Sequence, residues 1–127
     1  MFGSRVRFPV VTTIDYDPAA DKAIPIWRVP IDCEVKSAYV MLPTALAADG
    51  TNYYSLTLRN GGALGTATTA VSDTLAGTAG LTANVPHAFT MSTSNFSAGD
   101  VIQVAYDEEG TGTFGSMTIQ LDVTYGT

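Results

Sequence analysis

The chain contains few of the residue combinations that carry enzyme chemistry. His87 is the only histidine and Cys33 the only cysteine among 127 residues. No serine lies in the Gly-x-Ser-x-Gly pattern that presents a nucleophile. Nucleophilic catalysis needs a base beside the nucleophile, and a zinc site needs several spaced His or Cys ligands. We therefore predict a protein that is not an enzyme, with no cofactor, no metal and no small-molecule substrate.

Carboxylates are concentrated at one place, where Asp107, Glu108 and Glu109 are consecutive and Asp100 lies just upstream. Oxygen ligands of this kind bind calcium. The spacing lacks the alternating Asp-x-Asp-x-Asp-Gly pattern of a calcium loop, and a run of acids at a turn is usually solvated. Calcium binding is the less favoured alternative, and a melting curve with and without a chelator tests it.

Aromatic side chains offer a second kind of site, because sugar rings stack on them. The candidates are Trp27, Tyr39, Tyr53 and Tyr106. The competing interpretation is that strand tyrosines fill the rim of the core or a subunit contact. Trp27 is the only tryptophan, so no paired platform is present. Carbohydrate binding is therefore a secondary hypothesis.

Residues 1–31 are the strongest candidate for a binding function. They hold four of the six prolines, which suit edge strands or an extended arm, yet they are rich in apolar side chains. Arginines pair with carboxylates in a bidentate manner, and large apolar residues anchor interfaces. The alternative, which the sequence leaves open, is that this segment is the first edge of the domain and packs on its own core. The predicted partner-binding residues are Arg5, Arg7, Phe8, Ile26, Trp27 and Arg28.

The charge distribution divides the chain into two parts. The formal net charge is -6, from 12 acids and six bases, which argues against a nucleic-acid partner. Residues 1–40 contain five acids and five bases, whereas residues 41–127 contain seven acids and only Arg59. A neutral N-terminal segment approaches like-charged neighbours more easily than the acidic body does.

No part of the sequence indicates a membrane protein. No segment approaches the length of a membrane span, and the N-terminus lacks the apolar run of a signal peptide. We expect a protein that is made and assembled in a cytoplasm, with no membrane partner.

The elements that position these residues are predicted to be strands. Residues 117–125 alternate apolar and polar side chains, which indicates a strand near the middle of a sheet. Shorter strand patterns cover residues 33–42, 53–58, 85–92 and 101–106, separated by Gly-rich turns, whereas residues 64–82 are not assigned. The sequence predicts an all-β protein, an antiparallel β-sandwich (jelly-roll-like) of about eight strands. Residues 1–31 form an extended N-terminal arm or edge, and residues 32–127 the sandwich domain.

The pattern from Cys33 onward resembles the capsid decoration, or cement, proteins of tailed bacteriophages. The segments that carry the resemblance are Ser37-Ala38-Tyr39-Val40, residues 48–60, Asn84-Val85-Pro86-His87-Ala88-Phe89, residues 96–102 and the closing strand to Tyr125.

The resemblance implies a structural virion protein on the capsid surface, assembled in the host cytoplasm, that binds the major capsid protein and forms a homotrimer. It supplies no catalytic residue. The alternative function is a carbohydrate- or receptor-binding module of a virion fibre or tail. Under the first hypothesis, deletion of residues 1–20 is expected to leave a folded body that no longer binds shells.

Overall fold

A computed structural model describes residues 5–15, 17–18, 20–112 and 115–126. Over these residues the chain forms strands and no helix. The strands are β1 (Arg5–Ile14), β2 (Lys22–Arg28), β3 (Cys33–Met41), β4 (Tyr53–Asn60), β5 (Thr69–Ala70), β6 (Leu75–Ala76), β7 (His87–Phe89), β8 (Asn95–Phe96), β9 (Val101–Glu109) and β10 (Met117–Gly126).

Two antiparallel sheets pack against each other. Sheet A has the order β1-β10-β3-β7, with β8 also paired to β3, and sheet B has the order β2-β9-β4-β5, with β6 also paired to β4. The first strand thus pairs with the last, and the second with the one before the last. If β5 and β6 are taken as one interrupted strand, and β7 and β8 as another, this is the eight-strand order of a jelly roll. The predicted all-β antiparallel sandwich is confirmed.

The core lies between the sheets and is built by alternation along each long strand. The closing strand β10 lies between β1 and β3, and Met117, Ile119, Leu121 and Val123 are buried, as predicted. Sheet B contributes alternating residues of β4 to the same core, together with Ile102, Val104 and Tyr106 of β9, although Gln103 and Ala105 between them are also buried. The two sheets pack together because each has one apolar face that must be covered.

Residues 5–14 and 22–28 form the edges of the two sheets on one side of the sandwich. All ten residues of β1 pair with β10, and β2 pairs with β9 across a register shift between Pro25 and Trp27. Proline in both strands fits an edge position, where a missing backbone donor costs no ladder bond. Ile14 is buried, so deletion of residues 1–20 would uncover β10 and remove part of the core. That deletion is therefore no longer expected to leave a folded body.

Strand boundaries differ from the sequence prediction at three places. The predicted strand 85–92 is limited to His87–Phe89, and the short strand Asn95–Phe96 follows it. β9 continues through Asp107 to Glu109, where these acids pair with Ser55 and Tyr53 of β4. Strand pairing is made by backbone hydrogen bonds, so acidic side chains do not prevent it. The tract 64–82 contains two short strands, β5 and β6, which pair with successive parts of β4. Its Gly, Ala and Thr residues carry too little periodicity to show this.

The strand order gives the sandwich two ends. The turns 29–32, 61–68 and 97–100 meet the start of β1 at one end, which we call the arginine end. The connections from β1 to β2, β3 to β4, β6 to β7 and β9 to β10 lie at the other, which we call the acidic end.

Candidate partner-binding surface

The apolar residues predicted as partner anchors lie between the edge strands of the two sheets. The ring centroids of Phe8 and Trp27 are 6.2 Å apart in an edge-to-face arrangement, and those of Phe8 and Tyr125 are 6.0 Å apart. Ile26 is half-buried beside them, and its carbonyl oxygen accepts a hydrogen bond of 3.1 Å from Thr12 Oγ1. These side chains close the open side of the core and keep part of their surface exposed.

Arg5 is engaged within sheet A. Its guanidinium lies 3.2 Å from Glu34 Oε1 and 3.1 Å from Thr124 Oγ1. Lys36 Nζ lies 3.1 Å from the same carboxylate oxygen, and Ser94 Oγ donates a hydrogen bond to the other. The hydrogen bond from Lys36, with the charges of both bases, lowers the pKa of Glu34. This exposed network orients Arg5 along the sheet rather than toward a partner.

Arg7 and Arg28 differ from Arg5 in their side-chain interactions. Both are exposed, and within the described part of the chain neither side chain makes a hydrogen bond or an ion pair. They flank Phe8 and Trp27 in sequence, one on each edge strand, and successive residues of a strand face opposite sides of its sheet. The structure therefore presents two exposed cations on the edge strands whose inner faces carry the aromatic pair.

Folding concentrates the net charge at the acidic end. Seven of the twelve acids lie there with Lys22, and Arg59 borders the same groove as Asp21 and Asp107. The remaining five acids and four bases nearly balance, so most of the formal charge of -6 is located at one end of the sandwich. The seven acids are Asp15, Asp17, Asp21, Asp49, Asp107, Glu108 and Glu109.

Exposed apolar side chains show the opposite distribution. Val6, Ile31 and Leu64 lie at the arginine end with exposures of 38%, 43% and 86%. Val11 lies on the β1 edge, and Val85 is at the acidic end. Sequence reasoning missed Leu64, which lies in the unassigned tract. The available signal was a leucine flanked by the glycines of a predicted turn.

The turns at the arginine end are fastened to one another through Asp100. One carboxylate oxygen, Oδ2, accepts hydrogen bonds from Asn60 Nδ2 at 3.0 Å and from the Ser97 amide at 2.9 Å. The backbone carbonyl of Asp100 accepts from the Val29 amide at 2.8 Å, and Gly99 donates to the Val29 carbonyl at 2.7 Å. Three separate turns are therefore held in one arrangement, which suits a surface that recognises a fixed partner.

The acidic end contains closely spaced carboxylates. Burial, followed by the charges of Asp21 and Glu109, raises the pKa of Asp107. Asp21 Oδ1 also accepts a hydrogen bond of 2.9 Å from the Glu108 amide, which fixes it near β9. Among the described residues, no group of three His, Cys, Asp or Glu side chains is arranged to hold a metal ion.

The remaining candidate residues have structural surroundings. His87 Nε2 lies 3.0 Å from the carbonyl oxygen of Thr82. Cys33 is buried, and burial raises the pKa of its thiol, which disfavours the reactive thiolate. Tyr106 is buried and is not available to stack on a sugar, whereas Tyr39 and Tyr53 are half-buried.

No protein-family model matches the chain, and no curated protein matches it significantly. Nothing in the described ranges is a helix long and apolar enough to cross a membrane.

Proposed function

We propose that the chain is a structural virion protein that binds the outer surface of an assembled phage capsid and stabilises it. The major capsid protein is the proposed partner, and the arginine end with the adjoining β1 and β2 edge is the proposed contact. The observation that carries this proposal is the division of the surface. Two arginines with no described partner and three exposed apolar side chains lie opposite an end that carries most of the net charge.

The architecture supports a binding role on a particle. Jelly rolls form viral capsid and lectin domains, and their turns gather at the two ends of the sandwich. A domain bound by one end leaves the other facing outward. The acidic end suits the outward position, because like-charged neighbours on a crowded shell then repel one another rather than associate. The likeness of the sequence to capsid decoration proteins is consistent with this arrangement.

In the proposed mechanism, several weak contributions add up to the binding free energy. Apolar burial contributes about 25 cal/mol for each Å² removed from water, and Phe8, Ile26 and Trp27 have surface left to bury. Arg7 and Arg28 add charge-assisted hydrogen bonds to carboxylates of the shell. A homotrimer would multiply a weak contact, because the second and third contacts form at a high effective concentration.

The first experiment compares arginine variants in a sedimentation assay. The probe is a shell assembled from the major capsid protein encoded by the same genome. Arg7→Gln and Arg28→Gln should each weaken binding by about tenfold, equivalent to ~1.4 kcal/mol. The matched control is Lys22→Gln, which removes one positive charge at the other end of the strand that carries Arg28. Absence of wild-type binding to shells, or an equal loss for the control, would refute the proposal.

A second function, carbohydrate or receptor binding by a virion fibre or tail, is favoured by one feature. Tyr39 borders a groove of about 310 Å³ on sheet A together with Met41, Pro86 and Gln120. Gln120 Nε2 donates to Asp122 Oδ1 at 2.9 Å, so the polar side of the groove is ordered. Glycan-array binding that Tyr39→Ala abolishes and Tyr53→Ala preserves would support this function over capsid binding.

A further inference from the structure

The turn that carries Leu64 continues the hydrogen-bond ladder of sheet B. The Gly61 amide donates to the Val101 carbonyl at 2.8 Å, and the Val101 amide donates to the Gly62 carbonyl at 3.0 Å. The Gly62 amide donates to Asn60 Oδ1 at 2.8 Å, and Gln103 Nε2 donates to the Gly65 carbonyl at 2.8 Å. The turn is therefore an ordered extension of the sheet rather than a loose connection.

Glycine is required at several positions of this turn. Gly62 and Gly65 both have φ of 69°, which favours glycine. A Cβ at Gly61 would lie 2.9 Å from Cδ and Nε2 of Gln103, so a larger residue would displace the side chain that donates to the Gly65 carbonyl. The chain thus holds Leu64 in a defined position, yet the side chain is 86% exposed, the most exposed of the large apolar residues described.

We infer that Leu64 is the apolar anchor of the arginine end, and that it enters an apolar pocket bordered by carboxylates on the partner protein. This inference rests on the proposed function and adds the chemistry of the partner. Val101 of β9 pairs with Arg28 of β2 on one side and is hydrogen-bonded to Gly61 and Gly62 on the other. Arg28, a cation with no described partner, therefore lies one strand away from the turn that carries Leu64. An apolar residue with a neighbouring cation is complementary to a pocket with an acidic border.

A protein pocket fits these features better than a lipid surface. One leucine buries too little area for stable membrane attachment, which ordinarily takes two anchoring signals. An anionic membrane would also repel a chain with a net charge of -6. A turn fixed by backbone and side-chain hydrogen bonds gains most from a partner of fixed shape, since little flexibility is lost on binding.

The test compares two exposed apolar residues at opposite ends of the folded protein. Leu64→Ser removes the proposed anchor, and Val85→Ser is the matched control at the acidic end. Binding to shells of the major capsid protein encoded by the same genome is measured by sedimentation at several salt concentrations. Leu64→Ser should weaken binding by about tenfold to a hundredfold and leave the salt dependence unchanged. Val85→Ser should bind as wild type, and Leu64→Met should retain most of the affinity.

The outcomes separate this inference from the proposed function. If wild-type protein does not sediment with shells, the proposed function fails and this inference fails with it. If wild type binds, Arg28→Gln weakens binding and Leu64→Ser has no effect, the anchor alone is refuted. Binding of wild type to vesicles that contain phosphatidylserine, lost in Leu64→Ser, would replace the protein pocket with a lipid surface. Melting curves of both serine variants should match wild type, because neither side chain is buried.

Discussion

Residues of one type have different roles in this protein because their neighbours differ. Arg5 shares Glu34 with Lys36, whereas Arg7 and Arg28 have no hydrogen bond or ion pair in the described part of the chain. The sequence identified all three as candidates, but it could not rank them. The ranking depends on the register that places Glu34 two strands away from Arg5, and that register is a property of the folded sheet.

A stability prediction follows for Asp107. Its pKa is raised by burial and by neighbouring carboxylates, so the charged form is disfavoured in the folded state. A carboxyl group with a raised folded pKa contributes stability below its unfolded pKa, and that contribution is lost as the pH rises through the folded value. Asp107 is exposed, so solvent screens much of this effect, and Asp107→Asn should raise the melting temperature at neutral pH by no more than about 1 °C. The gain should shrink as the pH falls through the folded pKa of Asp107 and be absent below the unfolded value of about 3.9.

Thermal unfolding of Asp107→Asn at several pH values is the measurement. Asp73→Asn is the control, because Asp73 is exposed between β5 and β6 and its side chain has no described hydrogen bond. A gain of equal size for the control, or a gain that persists in acid, would contradict the electrostatic explanation.

At the scale of elements, the edge strands resolve an ambiguity that the sequence contained. Prolines and apolar residues in residues 1–31 fit either a free arm or an edge of the sandwich. The structure pairs β1 and β2 with neighbouring strands over nearly their full length, so the apolar side chains serve the core and the exposed side chains are left for a partner. Local sequence cannot distinguish these cases, because the partner strands β9 and β10 lie at the other end of the chain.

The turns at the arginine end give a prediction for Asp100. Asp100→Ala removes the acceptor of two hydrogen bonds, one from Asn60 of a separate turn and one from Ser97 of its own turn, and it leaves their donors without partners. We expect a loss of about 1 to 2 kcal/mol in the free energy of unfolding, measured by urea denaturation. Amide exchange at Gly61 and Val101 should accelerate more than exchange in β10.

The control for this change is Asp73→Ala, which removes an exposed carboxylate that joins no elements. Unchanged stability of Asp100→Ala, or exchange that rises evenly through the whole sandwich, would show that Asp100 does not fasten these turns.

In the whole molecule, folding changes how the charged residues are distributed. The sequence has a neutral first part and an acidic remainder. The folded sandwich instead has an acidic end that combines Asp15, Asp17 and Asp21 from the first part with residues from β9 and the turn after β3. The arginine end combines β1, β2 and three later turns. The predicted contact residues of the N-terminal segment thereby gain Leu64 and Ile31 as neighbours on one end.

The sandwich as a unit should lose stability in alkali. The rings of Tyr54 and Tyr106 lie 5.4 Å apart, and both are buried. Burial raises the pKa of Tyr54 to about 12, and burial with the charge of Glu108 raises that of Tyr106 further. Tyrosines of the unfolded chain ionise near pH 10, so stability is full below that value and is lost as the pH rises toward 12.

Urea midpoints measured from pH 8 to pH 12 test this expectation. The midpoint should decline above pH 10. The decline should be shallower in Tyr54→Phe, because this variant lacks one of the two buried tyrosines whose pKa is raised in the folded state. A decline of equal slope in both proteins would mean that other groups cause alkaline unfolding.

The sequence by itself determined the fold class and the central closing strand. Both follow from local features, namely the alternation of side chains with period two and the residues that form turns. Only the tertiary structure decided which arginines have no partner among the described residues, that Leu64 is presented on an ordered turn, and that most of the net charge lies at one end. These properties depend on contacts between residues far apart in the chain, and strand order brings those residues together.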